Sequence, residues 1–374
     1  MDPITHTFTG AALAASGLRR TTPLATAALI LGANAPDIDG CAYFAGPYAA
    51  LAFRRGWTHG ILVVAVLPFV VIGALLLWDR LWRRRKRPAA APARAVPLLG
   101  VAALAVATHP FLDWLNNYGI RWLMPFAHRW FYGDALFIVD PWVWLTLGAV
   151  VCLTYSRRPA AVGAWSAFWL LATLLMLSVP GIGLPARILW LAGVAAVLAA
   201  RARGFAAPVH AVAIERLTRA AILIVGVYIV AAVSASAIAR HRVRDVLAAR
   251  GIGPIQQVMV APVLAKPFQG QVVAETATDY YLGHWNWLAR PRYRPDGVRI
   301  SRPSPFFAAA ATDPDARRYL TWARFPYVDV ESNGASEYAV RFRDARYAET
   351  GRLSGPTVRL CATTSGFERC GGSP

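Results

Sequence analysis

Residues 59–87 read HGILVVAVLPFVVIGALLLWDRLWRRRKR. No charge interrupts the run between His59 and Asp79, and about twenty apolar residues in one helix cross a hydrocarbon core of about 30 Å. The run ends in Arg83-Arg84-Arg85-Lys86-Arg87, a basic cluster of the kind that stays on the cytoplasmic side of a membrane. Working outward from this first span at 60–80, comparable apolar runs lie at 95–112, 141–156, 160–179, 183–200 and 218–239, so six spans are predicted. Two shorter runs, 4–18 and 22–35, are joined by Arg19-Arg20. They are too short to cross alone and are expected to form a helical hairpin packed inside the bundle. The composition agrees, since 56% of the residues are hydrophobic and only 16% charged, with a mean hydropathy of +0.41. Values like these fit a chain dissolved in lipid. Residues 1–10, MDPITHTFTG, lack a basic stretch ahead of an apolar one, so the N-terminus is expected to stay in the mature protein.

After Arg240 the character changes. Apolar runs shorten, charges become regular, and Tyr338-Ala339-Val340-Arg341-Phe342-Arg343 alternates apolar with basic residues at the period of a strand. The predicted architecture is an all-α polytopic membrane helical bundle with a C-terminal soluble, mainly β domain. Its parts are a first membrane region at 1–140, additional transmembrane helices at 141–239 and the β domain at 240–374. Residues 88–97, PAAAPARAVP, read as a flexible loop. The formal net charge of +19 raises the question of nucleic acid. The basic residues, however, fall in short clusters between apolar runs rather than along one face, so no nucleic-acid partner is expected.

Topology follows from those clusters. If each run crosses once, Arg19, Arg20, Arg83–Arg87, Arg157, Arg158, Arg201, Arg203, Arg216 and Arg219 share one side, which should be cytoplasmic. His6, the segments 36–59 and 109–140, and the C-terminal domain then face outward. That compartment permits a disulfide between Cys361 and Cys370. Cys41 and Cys152 read as small buried hydrophobes.

The chemistry collects on the same outer side. In THPFLDWLNNYG, His109 and Asp113 stand at i and i+4, so one helical face presents an imidazole and a carboxylate to a single ion. Asn116 and Asn117 extend that face. In NAPDID, Asp37 and Asp39 lie two apart, and in an extended segment they would point the same way as paired hard oxygen ligands. His59 lies at the mouth of the next span, after Arg54 and Arg55, and His6 at the mouth of the first hairpin helix. Polar groups at the ends of apolar helices are costly unless paired, solvated or metal-bound. His6, Asp37, Asp39, His59, His109 and Asp113 are therefore the candidate metal ligands. Zinc is the favoured divalent ion for mixed imidazole and carboxylate donors, with manganese as the second choice and one or two ions held. His128 is a weaker ligand candidate, and Asp134 and Asp140 are candidates for supporting or general-base roles. His210, His241 and His284 have no carboxylate at ligand spacing and read as structural.

The ordered set MDPITHTFTG, NAPDID, RRGWTH, HPFLDWLNNYG and FIVDP resembles the YdjM-like family of inner-membrane metal-dependent hydrolases, also described as LexA-binding. The resemblance covers roughly the first 140 to 180 residues. It implies a hydrolase of the bacterial inner membrane with no settled substrate. More distantly, the alternation of His and Asp on helices is similar to zinc-dependent phospholipase C and P1-type nucleases. This chain departs from them in having Met1-Asp2 where phospholipase C has an N-terminal tryptophan, and in offering fewer histidines. The expected chemistry is hydrolysis by divalent-metal-activated water, on a phosphoester or lipid-linked substrate at the outer membrane face. In that scheme Asp37 or Asp113 doubles as base, Arg55 holds an anionic group and Asn117 orients a ligand or substrate. The alternative is a membrane transporter or a metal-binding protein without hydrolytic activity. A repressor-binding role would fall to the basic clusters, on the cytoplasmic side.

Overall fold

The computed structural model describes residues 1–301, 304–334, 336–348, 353–364 and 366–370. The chain forms two compact units. One comprises Met1–Ile38, Arg55–Ala235 and Pro262–Pro267, the other Asp39–Arg54, Ser236–Ala261 and Phe268–Pro374.

The first unit is helical. Helix α1 (Pro3–Ala15) starts where Asp2 accepts from the Ile4 and Thr5 amides and Pro3 occupies the first turn, a position that needs no donor. A turn containing Arg19 and Arg20 leads to α2 (Ala25–Asn34). The expected hairpin forms, and α1 and α2 pack on each other. The contact is backbone to backbone at Gly10, where a methyl group would lie 2.5 Å from the Leu29 carbonyl oxygen. After a 3₁₀ segment (Ala35–Ala45) and α3 (Pro47–Phe53), a 3₁₀ turn (Trp57–His59) leads into α4 (Ile61–Trp78). Helix α4 continues through a π turn (Asp79–Arg83) into α5 (Arg84–Lys86). Helix α6 (Ala95–Trp114) packs on α2 and α4. It begins inside the stretch expected to be a loop, because Pro97 falls in a first turn whose amides have no helical acceptor. An irregular segment follows to Asp140, and then α7 (Pro141–Tyr155), α8 (Pro159–Ser178), α9 (Leu184–Ala202) and α10 (Ala211–Ala249).

Among the described residues, five helices are long and apolar enough to cross a membrane: Ile61–Lys86, Ala95–Trp114, Pro159–Ser178, Leu184–Ala202 and Pro208–Ala249. The sixth expected span, α7, runs from the His6 end, where Trp144 Nε1 donates to Thr5 Oγ1 at 3.0 Å, to the arginine end, where Arg201 reaches Ser156, but it is shorter than those five. Helix α7 has 15 residues, about 22 Å at 1.5 Å per residue, and Val143, Trp144, Leu147, Val150, Val151 and Leu153 are buried. Its apolar length serves the core of the unit, with α1 and α9 against it.

The arginines gather at one end of these helices. Arg20 and Arg219 donate to Glu215 at 2.7 and 2.6 Å. The Arg219 Nε donates to the Ser16 carbonyl at 2.9 Å, the Arg94 amide to Thr22 Oγ1 at 2.8 Å, and the Arg201 Nε to the Ser156 carbonyl at 3.0 Å. His6 in α1, His59 ahead of α4, and His109 and Asp113 in α6 occupy the opposite ends of the helices that carry those contacts.

The second unit holds two four-stranded sheets in sequence order, β1 (Gln257–Val263) to β4 (Tyr293–Ser301) and β5 (Pro326–Ser332), β6 (Glu337–Asp344), β7 (Thr357–Thr363) and β8 (Gly366–Arg369). In the first sheet β2 (Lys266–Glu275) pairs antiparallel with β3 (Asp279–Asn286), which pairs with β4. Helices α11 (Pro305–Ala310) and α12 (Pro314–Trp322) lie between the sheets in sequence. The alternation at 338–343 becomes β6, with Val340 and Phe342 buried. Asp344 and Arg346 form a fully buried ion pair at 2.8 Å, and Arg346 stacks over Trp322 at 4.3 Å. Cys361 and Cys370 are disulfide-bonded, with Cα atoms 5.1 Å apart. Cys152 is buried as expected, but Cys41 is exposed, because the 3₁₀ segment turns it outward.

Candidate metal centre

The last turns of α6 carry His109 and Asp113 on one face, both fully buried. His109 Nδ1 lies 2.7 Å from the Ala33 carbonyl. A carbonyl only accepts, so Nδ1 carries the proton and the neutral ring turns a bare Nε2 lone pair inward. His59 is delivered by the 3₁₀ turn, where Gly60 leaves no room for a side chain against the Met124 carbonyl. Its Nδ1 lies 2.9 Å from Thr58 Oγ1. The Nε2 atoms of His59 and His109 stand 3.1 Å apart, and they lie 3.2 and 3.7 Å from Asp113 Oδ2. Asp37 brings Oδ1 to 3.8 Å from His109 Nε2. One donor atom each from Asp37, His59, His109 and Asp113 thus lies within 4.8 Å of all the others.

His6 joins this group from α1. Its ring stacks on His109 with centroids 3.7 Å apart, its Nε2 lies 3.3 Å from Asp113 Oδ1, and its buried Nδ1 has no hydrogen-bond partner. The Met1 amino group also contacts Asp113 Oδ1.

Asp39 goes elsewhere. Residues 35–45 form a 3₁₀ segment rather than the extended strand expected, and at three residues per turn two positions two apart face different directions. Asp37 reaches the imidazoles, while Asp39 is buried against Arg54, whose Nε lies 3.3 Å away.

Arg55 has a left-handed backbone, φ 53°, which costs a non-glycine residue about 1–2 kcal/mol and turns the side chain inward. Its Nη2 donates to Asp113 Oδ1 at 3.0 Å and its Nε lies 2.9 Å from Oδ2. Nη1 donates to Asn116 Oδ1 at 2.9 Å, and the guanidinium lies over Tyr118 at 4.5 Å. Arg55 therefore positions Asp113, although the sequence pointed to an anionic ligand. Asn116 holds Arg55 in place, and Asn117 is half-buried.

The weaker candidates are not among the four grouped donors. His128 is exposed. Asp140 caps α7 through the Trp142 and Val143 amides and accepts from the Tyr228 hydroxyl at 3.0 Å. Burial pushes its carboxyl up to about 6. Asp134 is buried, with φ 51°. His210 stacks on Phe205, His241 lies 3.8 Å from Asp245, and His284 lies 3.3 Å from Asp296.

The segments that supply the four donors, from the amino terminus to beyond Asp113, also lie within the part of the chain that a known family matches. Residues 1–181 match the YdjM inner membrane protein family. The match takes in all of the candidate centre together with α7 and α8, and it agrees with the resemblance read from the motifs. The chain is also 25% identical over 166 residues to the "Uncharacterized protein YfhP" of Bacillus subtilis (strain 168), an alignment covering 42% of this chain and 47% of the relative. The chain thus spans about half the length of the curated relative it matches. No solved structure matches it.

Proposed function

We propose that the YdjM-matched region is a metal-dependent hydrolase of phosphoesters at the outer face of the bacterial inner membrane, with zinc as the favoured ion. The observation that carries this reading is the pair of imidazole Nε2 atoms 3.1 Å apart beside a buried carboxylate. With Nδ1 of His109 committed to Ala33, its Nε2 lone pair faces a second imidazole and a carboxylate oxygen, an arrangement that a proton on His59 Nε2 or a shared cation satisfies, and the carboxylates beside it favour the cation. Two imidazoles and two carboxylates are a donor set suited to zinc. His6 Nδ1, buried without a hydrogen-bond partner, is an unsatisfied atom of the kind expected beside such an ion.

Asp37, His59, His109 and Asp113 would hold the cation. When bound, a divalent cation lowers the pKa of a coordinated water and polarises the oxygen of the scissile bond. Arg55 and Asn116 fix Asp113, the Ala33 carbonyl fixes the tautomer of His109, and Thr58 orients His59. Asp37, the donor with most solvent access at 17% side-chain exposure, is placed to take a proton from water. An outward-facing centre and an extracytoplasmic β unit are supported by the arginine contacts gathered at the far end of the helices.

Elemental analysis of protein purified without chelator tests the reading, together with hydrolysis of bis(4-nitrophenyl) phosphate. Wild type should carry one or two divalent ions and turn the ester over, and His109→Ala should lose both while staying inserted. Asp113→Ala should lose both and also melt lower, because it strands the buried Arg55 charge. Wild type without bound ion, and with no gain in melting temperature on adding zinc or manganese, would refute the proposal. Bound metal without turnover of any ester would leave a metal-binding protein.

A further inference from the structure

The candidate centre lies next to the start of the least buried of the five candidate spans among the described residues. Only 11% of the apolar window of Ile61–Lys86 is buried, and that helix begins two residues after His59. Its first residues, Ile61 and Leu62, are 59% and 48% exposed, and Val66, Phe69 and Val70 continue the apolar strip. The strip also extends past the donors. Trp57 is 47% exposed on the other side of His59, and the Ile61 amide donates to the Trp122 carbonyl at 2.9 Å. That bond brings Leu123 and Phe126, 42% and 76% exposed, against the start of α4. Exposed apolar side chains thus stand on both sides of His59 in sequence and continue along the exposed face of a candidate span.

We infer that this strip seats the hydrocarbon tail of an amphipathic phosphoester. The substrate is a membrane lipid phosphate that reaches the centre laterally from the bilayer along the exposed face of α4. Two features select a lipid over a water-soluble ester. The tail never has to leave apolar surroundings while the head moves to His59 and Asp37. A soluble substrate would gain nothing from five large apolar side chains held in the open at Trp57, Ile61, Leu62, Leu123 and Phe126. The inference rests on the hydrolase reading for the chemistry, but the tail seat has a readout of its own.

The test uses full-length protein in phosphatidylethanolamine vesicles doped with a phosphatidic acid that carries a diazirine on its acyl chain. Illumination followed by peptide mapping should concentrate label on 57–66 and 123–126. The double variant Ile61→Asn/Phe126→Asn should lower that label by at least about tenfold, the effect of denying the tail even one of the two large apolar contacts. The same variant should lose turnover of the long-chain phosphate while hydrolysing bis(4-nitrophenyl) phosphate as wild type does. Label spread evenly over the exposed faces of α4, α8 and α9 would overturn the inference. So would equal loss of both activities, or a long-chain turnover unchanged in the variant. Concentrated label with no hydrolysis of either ester would uphold the lipid seat and refute the hydrolase reading instead.

Discussion

Thr58→Val isolates the candidate centre from the fold. Thr58 is half-buried, and its hydroxyl lies 2.9 Å from Nδ1 of His59. Valine keeps the shape and removes the hydrogen bond that holds the ring with Nε2 facing Asp113. Loss of such a supporting contact weakens metal binding by about 10–100-fold, or about 1.4–2.8 kcal/mol. At free zinc a hundred times the wild-type dissociation constant, bound ion stabilises the wild type by about 2.7 kcal/mol. A variant a hundredfold weaker would keep about 0.4 kcal/mol of that. Competition against a chromophoric chelator in detergent gives the affinity, and melting curves with and without zinc give the stabilisation. Thr58→Ser restores the hydroxyl and should bind nearly as wild type does. Unchanged affinity in Thr58→Val, or a Thr58→Ser variant as weak as valine, would refute the assignment of His59 as a ligand oriented through Nδ1.

Reporter fusions at Pro92 and Gly334 should place the first in the cytoplasm and the second outside, and opposite sidedness at either would move the centre to the cytoplasmic face. Reduction of Cys361–Cys370, which closes a loop nine residues apart in sequence, should destabilise the β unit by about 2–3 kcal/mol, read by melting with and without reductant. Burial alone would raise the Asp344 carboxyl, but the Arg346 guanidinium and the backbone amides of Arg346 and Arg324 hold it below its ordinary range. That depressed value makes its contribution to stability complete above the unfolded carboxyl value and progressively lost as pH falls through the folded one. Asp344→Asn should flatten this part of the acid limb in a pH series of melting curves and cost about 3–5 kcal/mol at neutral pH by stranding Arg346.

Much of the architecture is legible in the residue order because a bilayer makes a simple demand. Residues 61–78 are uncharged and apolar for the length a membrane crossing needs, and Arg83–Arg87 mark the end expected to stay inside. The i, i+4 spacing of His109 and Asp113 is local geometry and survives folding unchanged. Asp37 and Asp39 show where locality stops. Whether two carboxylates two apart share a face depends on the backbone between them, and the 3₁₀ turn that separates them has no strong mark in NAPDID. The partners of Arg55 are not legible for another reason, since Asp113 and Asn116 lie 58 and 61 positions away in sequence. Helix α7 is ambiguous in sequence because an apolar run of its length serves a protein core as readily as a membrane.

Gly10 sits one turn beyond His6 and touches no donor, yet its Cα lies against the backbone of α2. With α1, α2 and α6 stacked at that distance, the positions of His6, Asp37 and His109 are inherited from main-chain spacing rather than from side chains that can adjust. A random-mutagenesis screen for loss of function would accordingly return Gly10 alongside the histidines, and second-site suppressors of Gly10→Ala would map to small residues of α2.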